Sequence, residues 1–423
     1  MQRRHTRSLI AVSMAGAMVL AACGSDNSST STAAPAPTNA AAATNAAATT
    51  AAVQSTSAPT ATQAATATSA PAGGAAAGSL AKVCPATVVI QTDWNPEGEH
   101  GFLYNLIGSD YSIDKAKVSV TGTLTASGGV DTGVKIEVRS GGPAIGFGTV
   151  TAQMYTDPSI LLGYVYTDEA IQNSAQFPTV AIESGFEKNP QMIMWDPATY
   201  PNVKNFTDIG KSGMLVRYFS SAAWMDYFTS QGIIPKDKVD GSYDGTPALF
   251  VADQGKAGQQ GFGSAEPYIY QNEIKDWGKP VAYSYVNDNG WNNYAESIAT
   301  KPENITKYAD CFKALVPIIQ QSSVDYLNDP TAANKVILDA VAKFDNGWVY
   351  SQGVADYAVK TIKADGLVGN GPDSTVGNFD LTRVNDLIKI AIPVYTGLGS
   401  PPKDGLKAED IVTNEFIDPS IGV

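Results

Sequence analysis

The chain has 423 residues, with 41 Asp and Glu against 28 Lys and Arg, a formal net charge of −13. Nucleic-acid binding needs a surplus of Lys and Arg to neutralise phosphates, so this balance argues against nucleic acid and against docking on anionic headgroups by charge. Only His5, His100 and three cysteines are present. They build no Cys/His metal cluster, so neither a metal nor another cofactor is expected.

Arg3, Arg4 and Arg7 form a basic opening, followed by an apolar run from Leu9 to Leu20. The run is shorter than the ~20 residues of a spanning helix, so it reads as the core of an export signal. It ends in Leu20-Ala21-Ala22-Cys23-Gly24, which resembles the bacterial lipobox. That resemblance implies a signal peptide over 1–23 and lipid, palmitate included, on Cys23. Two or more acyl chains hold a protein firmly at a membrane without a transmembrane helix. The protein is therefore expected outside the cytoplasm, lipid-anchored, at the cell surface or in a periplasm. With Cys23 lipidated, Cys84 and Cys311 remain as a pair that is either a disulfide or two separate buried thiols.

From 24 to 81 the chain is dominated by Ala, Thr, Ser, Pro and Gly and is almost free of charge. Too few large apolar side chains are present to offset ordering entropy, so this stretch reads as a disordered tether with a reach of about 40 Å. The folded body begins near Lys82, and about 340 residues call for two lobes rather than one core. Short apolar runs alternate with amphipathic segments, which signals an α/β fold. Strands are expected over 87–93, 134–139, 160–165, 179–183, 213–217, 258–263 and 280–286. Helices are expected over 101–107, 144–154, 168–174, 221–231, 247–252, 267–277 and 291–300, and three long ones between Asn304 and Lys363.

Several familiar chemistries are missing. A Ser-His-Asp triad would have to use His100, and no Gly-x-Ser-x-Gly elbow is present. Gly210-Lys211-Ser212 looks like the end of a P-loop, but Asn205 replaces its first Gly, so a helix-to-strand turn with a Gly cap is expected. The chain is not expected to be an enzyme.

Several segments, in order, resemble the solute-binding proteins of ABC transporters that carry thiamine-pyrimidine precursors, riboflavin, taurine and other sulfonates, or nitrate. Gln91-Thr92-Asp93-Trp94-Asn95-Pro96, with His100 and Tyr104 after it, is similar to the Asp-Trp-x-Pro…His…Tyr opening of the pyrimidine-binding members. Arg139-Ser140-Gly141-Gly142-Pro143, Tyr166-Thr167-Asp168, Asn205 to Lys211 and Ser264-Ala265-Glu266-Pro267 follow at corresponding turns. The stretch from Asp240 to Gln260 departs by being rich in Gly. The resemblance implies a type II periplasmic-binding fold: two α/β lobes, a double-crossover hinge and a ligand cleft between the lobes. Lobe 1 would take 82–190 and its return 291–423, and lobe 2 would take 191–290. It also implies a monomer that binds a small-molecule solute and delivers it to ABC permease subunits.

Ligands of open α/β sheets sit beyond the carboxyl ends of strands, where these motifs fall. Trp94 would stack on a planar ligand or pack in its lobe, and Asp93 would accept from a ligand amine or cap the next turn. His100 belongs to the same opening. Ser140, Gly141 and Gly142 would offer backbone N–H groups or form an ordinary turn. Tyr166 lines the cleft or fills core, and Asp168 binds ligand or caps a helix. Glu183, near the first crossover, bonds ligand or hinge. Arg217, Phe219 and Ser220 run from a strand toward a helix, as an anion site or a cap, and Glu266 opens another helix. Trp94, Tyr166, Asp93 and Glu266 together suit a planar nitrogen-containing or cationic solute, whereas Arg139 and Arg217 point to a sulfonate, nitrate or carboxylate. An exported enzyme or a surface sensor on the same fold is the remaining alternative.

Overall fold

The computed structural model describes residues 75–423. The readings at Cys23 and over most of the tether therefore lie outside the described residues. Twelve strands form two sheets: β1 (Thr87–Gln91), β2 (Ser112–Asp114), β3 (Ser119–Ala126), β4 (Val130–Arg139), β5 (Leu162–Val165), β6 (Val180–Glu183), β7 (Gln191–Trp195), β8 (Val216–Arg217), β9 (Val239–Asp240), β10 (Gly258–Phe262), β11 (Ala282–Tyr285) and β12 (Ser297–Thr300). The first sheet has the order β2-β3-β4-β1-β5-β12-β6 and the second β11-β7-β10-β8-β9.

The physics of each strand follows its place. β1 is central, parallel to β4 and β5, and its Val88-Val89-Ile90 run is buried on both faces. Such strands read as continuous apolar runs. β3 and β4 pair antiparallel and alternate buried with less buried positions, as a sheet with one covered face requires. The long helix Ala309–Asn328 lays Cys311, Phe312, Leu315, Val316 and Ile319 into the core of the first sheet. Cys311 is bonded there to Cys84, with Cα atoms 4.7 Å apart and 227 residues of separation. Closing a loop of that size restricts the unfolded chain by about 5 kcal/mol in the chain-entropy model.

The chain crosses between sheets twice, from β6 to β7 and from β11 to β12. The two crossings touch: Phe186 N–H donates to the Ala295 carbonyl at 3.2 Å. Gly185 permits this approach, because a Cβ there would collide with the Glu296 carbonyl. Arg383, on the helix Leu381–Gly397, binds both crossings at once. It donates to Glu187 Oε1 at 2.8 Å, to the Glu187 carbonyl at 2.7 Å and to the Asn293 carbonyl at 3.1 Å, and it lies 3.7 Å from the centre of the Tyr294 ring.

Several expected elements change. Residues 291–300 form no helix: Trp291 and Tyr294 are buried at the crossing and 297–300 is β12. The segment 144–154 splits into a 3-10 turn, Gly142–Ile145, and a helix, Val150–Thr156. The helix expected over 267–277 is Glu266–Asn272, and the one over 101–107 shortens to Gly101–Tyr104. Gly210-Lys211-Ser212 is the last turn of the helix Phe206–Ser212, with Asn205 accepting from Asp208 N–H at its start and Gly213 left-handed at its end. Among the described residues no helix is long and apolar enough to cross a membrane.

Candidate functional site

The ends of both sheets bring together an aromatic wall and a group of buried carboxylates. The loop after β1 supplies most of it. Asp93 Oδ1 lies 3.0 Å from His100 Nε2, and Glu97 Oε1 lies 4.0 Å from the same nitrogen. His100 is fully buried, with its ring edge-on to Tyr164 at 5.2 Å. Glu99 reaches across to the second sheet and accepts from Ser264 Oγ. Glu296, just before β12, accepts from Tyr166 Oη at 3.3 Å. Its backbone is left-handed at φ 51°, a conformation that ordinary side chains adopt only when the surrounding structure holds them there.

These carboxylates crowd one another. Burial, then repulsion from Glu99, Glu296, Asp93 and Glu266, pushes Glu97 well above the usual carboxylate range. Burial, then Asp93 and Glu99, does the same to Glu296. Burial raises Glu99 against the opposing hydrogen bond from Ser264. Glu266 is pushed up to about 7 by burial, although Phe262 N–H donates to it at 2.6 Å. Several polar atoms here have no hydrogen-bond partner: Glu99 Oε2, Glu296 Oε2, His100 Nδ1 and Tyr164 Oη. Unpartnered buried polar atoms cost about 1–3 kcal/mol each, so their concentration at one place marks a site that something else completes.

Trp94, next to Asp93 in the same loop, is the centre of an aromatic wall. The Trp94 ring lies 6.0 Å from Phe147, 6.1 Å from Trp348 and 6.4 Å from Phe219, with Tyr243 behind Phe219 at 4.8 Å. Phe147 is 69% exposed, unusual for a phenylalanine that only fills core. Trp348 Nε1–H donates to the Pro96 carbonyl at 3.1 Å, and Tyr350 Oη accepts from Gly98 N–H at 2.7 Å. The loop carrying Trp348 and Tyr350 thus fixes the loop carrying Trp94 and Glu97.

Other expected residues have different duties. Gly141 N–H donates to the Trp94 carbonyl, Gly142 N–H to the Asp93 carbonyl and Ser140 N–H to the Val118 carbonyl, all at 2.8–3.0 Å. None of the three N–H groups is left for a ligand. The glycines serve close approach instead, since a Cβ on Gly142 would sit 2.6 Å from the Trp94 ring. Asp168 accepts from Trp291 Nε1 and Asn293 Nδ2, both at 2.9 Å, and so ties the helix after β5 to the returning crossing. Glu183 is buried beside Gly377 at the start of the first crossing, its two carboxylate oxygens make no hydrogen bond to the hinge, and burial pushes it up to about 8.

The two arginines are engaged. Arg139 pairs with Glu137 at 2.7 Å and Asp157 at 2.8 Å. Arg217 pairs with Asp253 and lies 3.6 Å from Asp240, although its Nε and Nη1 make no hydrogen bond. Ser220 is exposed and caps nothing, while Phe219 N–H donates to Gln260 Oε1 at 2.9 Å and its ring joins the wall. Sequence reasoning reached Asp93, Trp94, His100, Tyr166, Phe219 and Glu266 but missed Glu97, Glu99, Phe147, Glu296 and Trp348. Glu97 and Glu99, within a few residues of Asp93-Trp94, were within reach of that motif; Glu296 and Trp348 arrive from distant segments without a local signal.

No family model matches the chain, and no curated protein matches it. Solved structures do. The ligand-binding component of an ABC-type import system from Staphylococcus aureus, with zinc bound, is 13% identical, with a TM-score of 0.46, covering 79% of this chain and 99% of that one. The alkanesulfonate-binding protein SsuA from Xanthomonas axonopodis pv. citri, bound to MOPS, is 10% identical at a TM-score of 0.47, covering 78% and 99%. The periplasmic nitrate-binding protein NrtA from Synechocystis PCC 6803 is 10% identical at 0.47, covering 78% and 87%.

Proposed function

We propose that the chain is the solute-binding lipoprotein of an ABC importer, anchored outside the cytoplasm through Cys23, which binds a planar nitrogen-containing or cationic solute between its two sheets. It acts as a monomer, breaks no bond in the solute, and passes it to permease subunits. The observation that carries this reading is the aromatic wall of Trp94, Phe147, Phe219 and Trp348 beside carboxylates that pair with no arginine among the described residues. Aromatic faces attract cations and stack on flat rings, and carboxylates accept from N–H edges. The lipobox, the tether, the order of strand-end motifs and the two crossings held by Arg383 support the receptor role, with closure of one lobe on the other as its motion.

An anion receptor is the second reading, and it rests on the two unbonded nitrogens of Arg217. Two aspartates already outweigh that guanidinium's charge. Calorimetric titration of the full chain with thiamine, 4-aminopyrimidine, taurine and nitrate separates the readings. The cation reading expects one of the nitrogenous probes to bind, to weaken on Trp94→Ala and to survive Arg217→Ala. An anion whose binding survives Trp94→Ala and vanishes with Arg217→Ala overturns it.

A further inference from the structure

The floor of the site holds a second kind of chemistry. Asp93, His100 and Glu296 each offer one donor atom, and the three atoms lie within 4.8 Å of one another. Two segments supply them: the loop after β1, which carries Asp93 and His100, and the residue before β12. His100 is 0% and Glu296 1% exposed, and Glu296 Oε2 has no partner. We propose that these three side chains form a binding site for one divalent transition-metal ion of the zinc class.

The donor set selects the class. One imidazole nitrogen and two carboxylate oxygens, without a thiolate, suit a borderline ion such as zinc or cobalt, whereas calcium and magnesium take all-oxygen shells. Bonds of about 2.0–2.2 Å bring such donors closer together than 4.8 Å, so one carboxylate must turn inward. Asp93 and His100 are already at 3.0 Å, which leaves Glu296 as the side chain that turns. Its other oxygen is held by Tyr166 Oη, the outer hydrogen bond that commonly orients a ligating carboxylate. With Nε2 on the metal, the His100 Nδ1 proton has no acceptor, so the site is weaker than one with a complete outer shell. Three protein ligands leave a coordination position open, where a donor atom of the solute or a water completes the shell. The metal site shares Asp93 and Glu296 with the proposed solute site, so the inference rests on that reading, and zinc is therefore titrated alone.

The test is a titration of the untagged full chain with zinc ion alone, by calorimetry and by metal analysis after dialysis against excess magnesium, with cobalt as a spectroscopic probe. The expected result is about one zinc per chain that survives magnesium, and a cobalt visible spectrum of low coordination number. His100→Gln and Glu296→Gln should each weaken zinc at least 100-fold, and Tyr166→Phe about tenfold, while far-UV circular dichroism stays unchanged. Should His100→Gln fail to fold, the decision rests on Glu296→Gln and Tyr166→Phe. Weak binding of several ions per chain that magnesium displaces, or zinc affinity indifferent to Glu296→Gln and Tyr166→Phe, overturns the proposal. Binding of thiamine without binding of zinc would overturn this proposal and leave the receptor reading standing.

Discussion

The two halves of the site are built on opposite principles. The first-sheet half gathers Asp93, Glu97, Glu99 and Glu296 around a single imidazole and leaves Glu99 Oε2, Glu296 Oε2 and His100 Nδ1 unpartnered. The second-sheet half settles its own charges: Arg217 lies between Asp240 and Asp253, Glu266 accepts from its own turn, and what it presents is Phe219 backed by Tyr243. The difference assigns roles. One half carries electrostatic demand that a ligand must meet, and the other supplies a ring and a cover. Ser264, bonded to Glu99, and the repulsion between Glu266 and the carboxylates of Glu97 and Glu99 couple the two halves.

Removing the demand should have the largest effect. Asp93→Asn combined with Glu296→Gln deletes the charges that a cationic probe pairs with. Hydrogen bonds to charged groups are each worth about 1.5–3 kcal/mol, so thiamine affinity should fall more than 100-fold in calorimetric titration. An unchanged affinity would place the binding energy in the second half. Trp94→Ala comes next. Loss of a stacked ring and its cation–π attraction costs about 1–2 kcal/mol, a five- to thirtyfold weakening by the same measurement.

The pH dependence sharpens the same contrast. Protons compete with a cation for Glu97, Glu296 and Glu266, whose carboxyls are held above their usual range, Glu266 at about 7. Affinity for a permanent cation should therefore rise, about tenfold, between pH 5.5 and 7.5 as Glu266 ionises. Cation affinity that stays flat over that window would contradict the assignment of demand to the first half.

The smallest effect concerns Glu183. Its folded pKa of about 8 stands above the ordinary value of 4.5, so the folded chain keeps a proton that the unfolded chain releases. Stability from this group is complete below about pH 4.5 and is lost as pH rises toward 8. Glu183→Gln removes that loss. By denaturant melts the variant should be more stable than the parent at pH 8 by at least about 1 kcal/mol and nearly equal to it at pH 4.5. Equal stability at both pH values would mean that Glu183 finds a partner.

What the sequence made legible follows from locality. β1, β5 and β6 are apolar runs ending at polar turns, and their positions were readable. β3 alternates Thr with Val, Gly, Leu and Ala and has few large side chains, and β7 is rich in methionine, so neither carried the usual strand signal. Trp291, Tyr294 and Ile298 recur at a helical spacing, yet they fill a crossing and a strand, because tertiary packing overrides the local pattern. The helix Leu381–Gly397 was hidden by Pro393, although Asp380 caps its start through Thr382 and Arg383 N–H. The same limit applied to the site. The Asp93-Trp94 opening was visible, whereas Glu296 and Trp348 join it only through folding, and the ion pairs of Arg139 and Arg217 lie partly with residues distant in sequence.

The central claim is that a positively charged or nitrogen-rich flat molecule meets the demand of the first half. Native mass spectrometry of the purified chain, followed by release and identification of the small molecule it carries, tests this most directly. The account predicts a cation or a planar nitrogen heterocycle; a sulfonate, nitrate or carboxylate ion would contradict it.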